Sequence, residues 1–374
     1  MTFKYLVISD VHLGHPRNKT QDILSNLNKL FDYFNKDLGL NAIFIAGDFF
    51  DTLLDNHTAE YHEIVLWIHR LISYCSRKNI KLRVLEGTPS HDWNQCKMFQ
   101  TVVDITKLNI DFKYISTIQI EFLEDIGLYI LYVPDEAMEC SQLTKDYVKD
   151  LLVDKNINKV DIAIMHGMFG YQMMNVQTPQ SHDEHFYNDI VNYYIHIGHI
   201  HTHSKYNKII AQGSFDRLSH NEEEPKGVVI ADVDIATKSC SWKFIENKTA
   251  KIFKTINITK NYDLEQAINK LDKQINALPE FSFVRIKAPK DHVVYQAFEE
   301  LKKRYINYTL SKKSDDDHSD SGQLLDDITV VMTDYDVITI NKENICELLI
   351  NNISNNEIDT NKLFTMINSI AEQI

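Results

Sequence analysis

Five short stretches carry residue types that bind divalent cations: Asp10-Val11-His12, Gly47-Asp48 with Asp51, Gly87 to Asp92 with Ser90 and His91, His166-Gly167, and Gly198-His199-Ile200-His201. Mixed carboxylate and imidazole ligands suit manganese, iron or zinc. No cysteine lies among them, which argues against a structural zinc or an iron–sulfur cluster. The supply exceeds the needs of one ion. It fits a pair about 3.5–4 Å apart, which clamps a phosphate and activates a bridging water. Taken singly, each stretch is a weak signal, because a strand-end Asp more often caps a helix than holds a metal.

The surrounding pattern makes coincidence harder to accept. Phe3 to Ser9, Asn41 to Ala46, Ile80 to Leu85, Leu128 to Val133, Val160 to Met165 and Tyr193 to Ile197 read as short buried strands. Helical stripes separate several of them: Ile23, Leu24, Leu27, Leu30, Phe31 and Phe34 within 20–38, then Ile64, Trp67, Ile68, Leu71 and Ile72 within 58–78, and a further helix over 142–153. This alternation predicts a layered α/β domain with a largely parallel sheet. All five stretches fall at the carboxyl ends of strands, where α/β sheets collect their ligands. The i,i+2 spacing in Asp10/His12 and His199/His201 aims both members of each pair the same way if the backbone stays extended.

Beyond Gly198 the texture changes. Lys208 to Gln212, Gly227 to Val233, Cys240 to Ile245 and Phe253 to Ile258 read as successive strands. A helix over 262–276, a strand over 281–287 and a helix over 291–306 form a compact α/β unit. Residues 311–322 are polar and read as a linker, and 343–352 and 360–373 as amphipathic helices. The division expected is 1–250 for the main domain, 251–310 for a cap, 311–322 for the linker and 323–374 for an acidic C-terminal region.

The chain has 374 residues and a formal charge of -14, unevenly spread. Residues 251–313 hold 13 basic and 7 acidic side chains, and residues 314–374 hold 2 basic and 13 acidic. The basic stretch is the natural phosphate contact, through Lys287, Lys290, Lys302, Lys303 and Arg304, reading backbone and not base sequence. A solvated Lys-rich helix pair explains the same charge equally well. The acidic tail repels DNA, and its apolar helix faces suit a protein groove. The five scattered cysteines form no disulfide framework and fit a reducing cytoplasm. No apolar run reaches the ~20 residues that cross a bilayer.

In this order the motifs D-x-H, G-D-x-x-D, G-…-H-D, H-G and G-H-x-H resemble those of the calcineurin-like metallophosphoesterases, over Asp10 to His201. The segment Gly213-Ser214-Phe215-Asp216-Arg217-Leu218-Ser219, with Glu222 to Gly227 after it, is similar to that of the SbcD-type DNA repair nucleases, which phages also encode. The resemblance implies a four-layer α-β-β-α domain with a small α/β cap and a C-terminal helical tail. It implies two Mn2+ ions, with Mg2+, Fe2+ or Zn2+ as alternatives. Asp10, His12 and His201 would hold one ion, His166 and His199 the other, and Asp48 would bridge them. His91 would contact the scissile phosphate and assist the leaving group. The implied activity is DNA exonuclease and endonuclease cleavage in repair, recombination or replication, beside an SMC-like ATPase of the SbcC type, with dimerisation common and the cytoplasm as the setting. Two rivals stand beside it: a phosphodiesterase on small phosphoesters, and a DNA-end-binding scaffold with little turnover.

This sequence departs from the family at one place. An Asn usually completes the second ion site, in G-N-H-D. Here two extra residues intervene and Ser90 precedes His91, so Ser90 or a nearby backbone carbonyl is expected to fill the place. A hydroxyl is the weaker ligand, which predicts a looser second site. Asp51 is expected to cap a helix, the Ser181 to His185 cluster to form a surface loop near the substrate, and Arg217 to contact phosphate or brace the fold.

Overall fold

The computed structural model describes residues 2–34, 38–172 and 178–314. The first half alternates strands and helices in chain order: β1 (Thr2–Ile8), α1 (Thr20–Phe34), β2 (Ala42–Ala46), α2 (Ala59–Lys78), β3 (Lys81–Leu85), α3 (Pro89–Asp92), α4 (Lys97–Thr106) and β4 (Phe112–Ile115). Next come β5 (Gln119–Leu123), β6 (Leu128–Val133), α5 (Ser141–Asp154), β7 (Val160–His166), α6 (Glu184–Ile190), β8 (Val191–Gly198), β9 (Ser204–Tyr206) and β10 (Ile209–Ala211). Two long strands, β11 (Gly227–Asp234) and β12 (Ser239–Glu246), follow. The remainder comprises β13 (Phe253–Asn257), α7 (Leu264–Ile275), β14 (Phe283–Ala288), α8 (Val293–Gln296), α9 (Phe298–Arg304) and β15 (Thr309–Ser314).

The strands form two six-stranded sheets, ordered β12-β11-β1-β2-β3-β4 and β5-β6-β7-β8-β10-β9. The first sheet is parallel from β1 to its β4 edge and antiparallel at β11 and β12, and the second is parallel from β6 to β10 with an antiparallel strand at each edge. Alternation along β1 shows how the layers stack. Phe3, Tyr5 and Val7 enter the core between the sheets, against Phe44, Tyr132 and Ile164. Leu6 and Ile8 face the other way, against the Ile23/Leu27 stripe of α1 and the Ile64/Trp67/Leu71 stripe of α2. On the far side, α5 and α6 cover the second sheet through Val148, Leu152 and Tyr187. Strands buried on both faces read as continuous apolar runs, which is why β1, β2 and β7 stand out in the sequence. The result is the expected four-layer α-β-β-α architecture. The largely parallel sheet that the strand pattern predicts is shared out between two sheets, each with a parallel centre.

Local signals set the element ends. Thr58 caps α2 by accepting from the Tyr61 N–H, and Asn79 ends it in the left-handed region. Asp263 and Gln266 form a capping box on α7. The basic unit builds its own sheet, β13-β14-β15, over an apolar core that includes Ile256, Leu271, Ile286 and Phe298. The predicted 291–306 helix is interrupted at Ala297, giving α8 and α9. Residues 311–314, read from their polarity as linker, complete β15. The remainder of that linker, the tail 323–374 and its two predicted helices lie outside the described residues. Contacts join residues 1–313 into one unit. Among the described residues, no helix is long and apolar enough to cross a membrane.

Candidate metal centre

The five stretches come from two different sheets. Loops after β1, β2 and β3 of the first meet the ends of β7 and β8 of the second. The loop after β1 is laced to the loop after β2: Asp10 N–H donates to the Gly47 carbonyl, Val11 and His12 N–H to that of Asp48, and Leu13 N–H to that of Phe49. Asp92 adds a second tie. Its carboxylate accepts from the N–H groups of Asp48 (3.0 Å), Gly87 (2.7 Å) and Phe50 (2.9 Å). These loops are not extended. Asp10, His12, Asp48 and His199 all have positive φ, from 48° to 95°. That corrects the i,i+2 expectation: the side chains converge because the backbone turns at each of them, at a cost of order 1–3 kcal/mol apiece.

Three groups of ligand atoms result, each within 4.8 Å: Asp10, His12 and His201; His12, Asp48 and His91; and Asp48, His166 and His199. Asp48 lies between the imidazoles, 3.2 Å from His166 Nε2 and 3.8 Å from His12 Nε2. Asp10 accepts from the His199 N–H at 2.8 Å and from the Ser9 hydroxyl. Asp10, Asp48 and His166 are almost fully buried.

The hydrogen bonds of the imidazoles reveal what these groups need. His166 Nδ1 donates to the Ala46 carbonyl at 2.7 Å, so its buried Nε2 presents a lone pair and has no hydrogen-bond partner. His12 Nδ1 faces Asp51 at 3.0 Å and His201 Nδ1 faces Glu222 at 3.1 Å. Each carboxylate draws the ring proton to Nδ1, leaving the two Nε2 lone pairs 3.1 Å apart. Facing lone pairs repel unless a cation or a proton lies between them. The chemistry of this donor set therefore fits divalent cations.

With no cation present, positive charge collects on His166 and His201 instead, as protons. Burial pushes the Asp48 carboxyl up, but His166 and then His12 outweigh it and hold it well below the usual range. Burial pushes His201 down, and the Glu222 carboxylate more than reverses this, raising it to about 9. Burial and then the neighbouring Asp48 and Glu86 push Asp92 up to about 7.

His91 lies beside the groups, its ring edge-on to His12 at 4.9 Å between centroids. Its Nδ1 is 3.0 Å from the Asp51 carbonyl, so Nε2 is the atom left to meet a ligand. Asp51 does not cap a helix, since Thr58 caps α2; its carboxylate fixes His12. Ser90 does not enter the centre: it is exposed in the short α3. Thr88 stands there instead, its hydroxyl 3.3 Å from Asp48 Oδ2 and 3.3 Å from His199 Nδ1. His182 is buried, not at the surface, with Nε2 3.4 Å from the His166 carbonyl, while Asp183 caps α6.

Arg217 is only 8% exposed, and its guanidinium donates to the carbonyls of Ala250 and Lys251. It braces the start of the cap and offers no surface to a phosphate. In the cap, Lys302 pairs with Glu299 at 3.0 Å and Arg304 with Asp272 at 2.6 Å. Lys290 and Lys303 are exposed, and Lys287 is half-buried on β14.

Three residues at the centre have no role in the sequence reading: Thr88, Asp135 and Glu222. Asp135 was findable, because it follows the end of β6 as the other acidic and imidazole groups follow their strands.

The layered fold and the paired cation-binding groups define a metal-dependent phosphoester hydrolase. The sequence matches the calcineurin-like phosphoesterase family over residues 3–203, and the chain belongs to that family. No curated protein matches it. One crystal structure aligns with 65% of this chain and 99% of its own, at 13% identity and a TM-score of 0.37.

Proposed function

We propose that the protein is a manganese-dependent DNA exonuclease and endonuclease of the SbcD type, working in repair, recombination or replication beside an SMC-like ATPase. Asp10, His12 and His201 would hold one ion and His166 and His199 the other, with Asp48 placed to serve either. A bound pair of divalent cations supplies charge neutralisation at the phosphate and an activated water. The chain's own residues do the rest. Asp51 and Glu222 hold His12 and His201 by their Nδ1 atoms, so that each Nε2 faces the cation position. His91, fixed at Nδ1 by the Asp51 carbonyl, carries a proton at Nε2 to the leaving 3′-oxygen.

One observation carries the choice of DNA. Adjacent residues connect the centre to the basic cap: Glu222 accepts from His201, and Glu223 accepts from Lys254 Nζ and the Thr255 N–H of β13. Both glutamates belong to the segment that resembles the nucleases. End-labelled linear duplex in manganese, with and without an SMC-like ATPase, tests the reading against a small model phosphodiester. Cleavage of the model compound with none of DNA would reject it. The pairing of Lys302 and Arg304 with acidic partners favours the second reading, a phosphodiesterase on small phosphoesters, and that comparison separates the two.

A further inference from the structure

Asp135 lies just past the end of β6, a strand that supplies none of the other ligand candidates. Its Oδ2 is 3.0 Å from the Thr88 hydroxyl and 3.7 Å from His199 Nδ1. Its Oδ1 accepts from the Glu136 N–H of its own loop. The Thr88 hydroxyl therefore meets two carboxylates, Asp48 and Asp135, with a single proton to share between them. Two buried or half-buried carboxylates converging on one hydroxyl repel unless positive charge joins them. The backbone makes room for this approach. At Gly167, where φ is +121°, a Cβ would come within 2.9 Å of Asp135 Oδ1, so any side chain there would push Asp135 away.

We propose that Asp135 and Thr88, and not Ser90, complete the second cation position, with Asp135 as its own carboxylate. The inference rests on the two-cation reading above and deepens it. Each position then has one private carboxylate, Asp10 or Asp135, two imidazoles and a share of Asp48. Equal ligand charge makes the second position comparable in strength to the first, replacing the loose site that a lone hydroxyl predicts. Oxygen ligands also tilt the second position toward hard ions such as manganese or magnesium.

Calorimetric titration of metal-stripped, full-length protein with manganese chloride tests this, with thermal melts in chelator to check folding. The wild type should take up two ions with affinities within about tenfold of each other. Asp135→Asn should weaken one of them about tenfold or more. Thr88→Val should weaken that same ion, and Asp10→Asn the other. Should Asp135→Asn fail to fold, Thr88→Val carries the test with the same expectation. Two tight ions in wild type, with Asp135→Asn or the substituting Thr88→Val within twofold of it at both, would overturn this inference and leave the two-cation reading standing. Fewer than two ions in the wild type would overturn both.

Discussion

At the scale of single residues, the centre is built by aiming imidazoles. A carboxylate or carbonyl occupies one ring nitrogen and leaves the other for the ligand, as Glu222 does for His201, Asp51 for His12 and Ala46 for His166. Removing the aim should weaken metal binding without touching a ligand. Glu222→Gln is expected to lower manganese affinity about 10- to 100-fold, read by calorimetry, with an unchanged far-ultraviolet spectrum. His91 should behave differently, because the proposed reaction has it protonate the leaving group. His91→Asn is expected to lower kcat about 10²- to 10⁴-fold at unchanged metal stoichiometry. The loss should be smallest for a p-nitrophenyl ester, whose leaving group needs no proton; an equal loss for all esters would contradict the acid role.

At the scale of elements, the site depends on how loops from two sheets are held together. Within the first sheet, Gly87 lets the loop after β3 pack on the loop after β2: a Cβ there would lie 2.1 Å from the Asp48 nitrogen. Gly87→Ala should therefore shift the loop after β2, cost about 3 kcal/mol of stability and reduce metal uptake, measured by denaturant melts and calorimetry. The sheets are also tied at one edge. Arg83 on β3 donates Nε and an Nη to Glu121 on β5, at 2.9 and 3.0 Å, and its other partners include Asp111. Burial pushes the Glu121 carboxyl up, but hydrogen bonds from Arg83 prevail and hold it below the usual range. A lowered folded value means the stabilisation is complete above the unfolded value of about 4.3 and fades as pH falls through the folded one. Glu121→Gln should cost about 3 kcal/mol at pH 7, and the gap from wild type should close as urea melts are taken below pH 4. A gap independent of pH would show that the pair does not carry the effect.

At the scale of the whole molecule, the net charge of -14 hides a basic cap. If that cap follows nucleic acid, its exposed cations should matter more than its paired ones. Lys290→Ala and Lys303→Ala should each reduce the slope of log affinity against log salt for duplex DNA by about 1. Lys302→Ala and Arg304→Ala should do less, because Glu299 and Asp272 already engage them. Fluorescence anisotropy over a salt series measures both, and equal effects from all four would argue against the pairing. On the proposal of an SMC-like ATPase partner, truncation after residue 322 should leave hydrolysis intact and abolish co-purification with that ATPase. Retention of the partner by the truncated chain would show that the acidic tail is not its docking segment.

Most of the residues gathered at the centre were legible in the sequence, because each follows a short apolar run and such runs are strands buried on both faces. Asp10, Asp48, His166 and His199 needed only that local pattern. The choice between Ser90 and Thr88 was not legible. It depends on where the turn after β3 places each hydroxyl, and the first turn of α3 carries Ser90 outward. The roles of Asp51 and Glu222 were hidden for a related reason: each acts on a histidine 39 or 21 residues away, across a loop contact. Arg217 likewise looks available for phosphate until the fold buries it. Element types, residue chemistry and family could be read from neighbouring positions, since periodicity and motif order are local properties. Which strand joins which sheet, and how the loops of one sheet interlock with the strand ends of the other, emerged from the folded chain. Strand partners and packing depend on contacts between distant segments, and no local pattern encodes them.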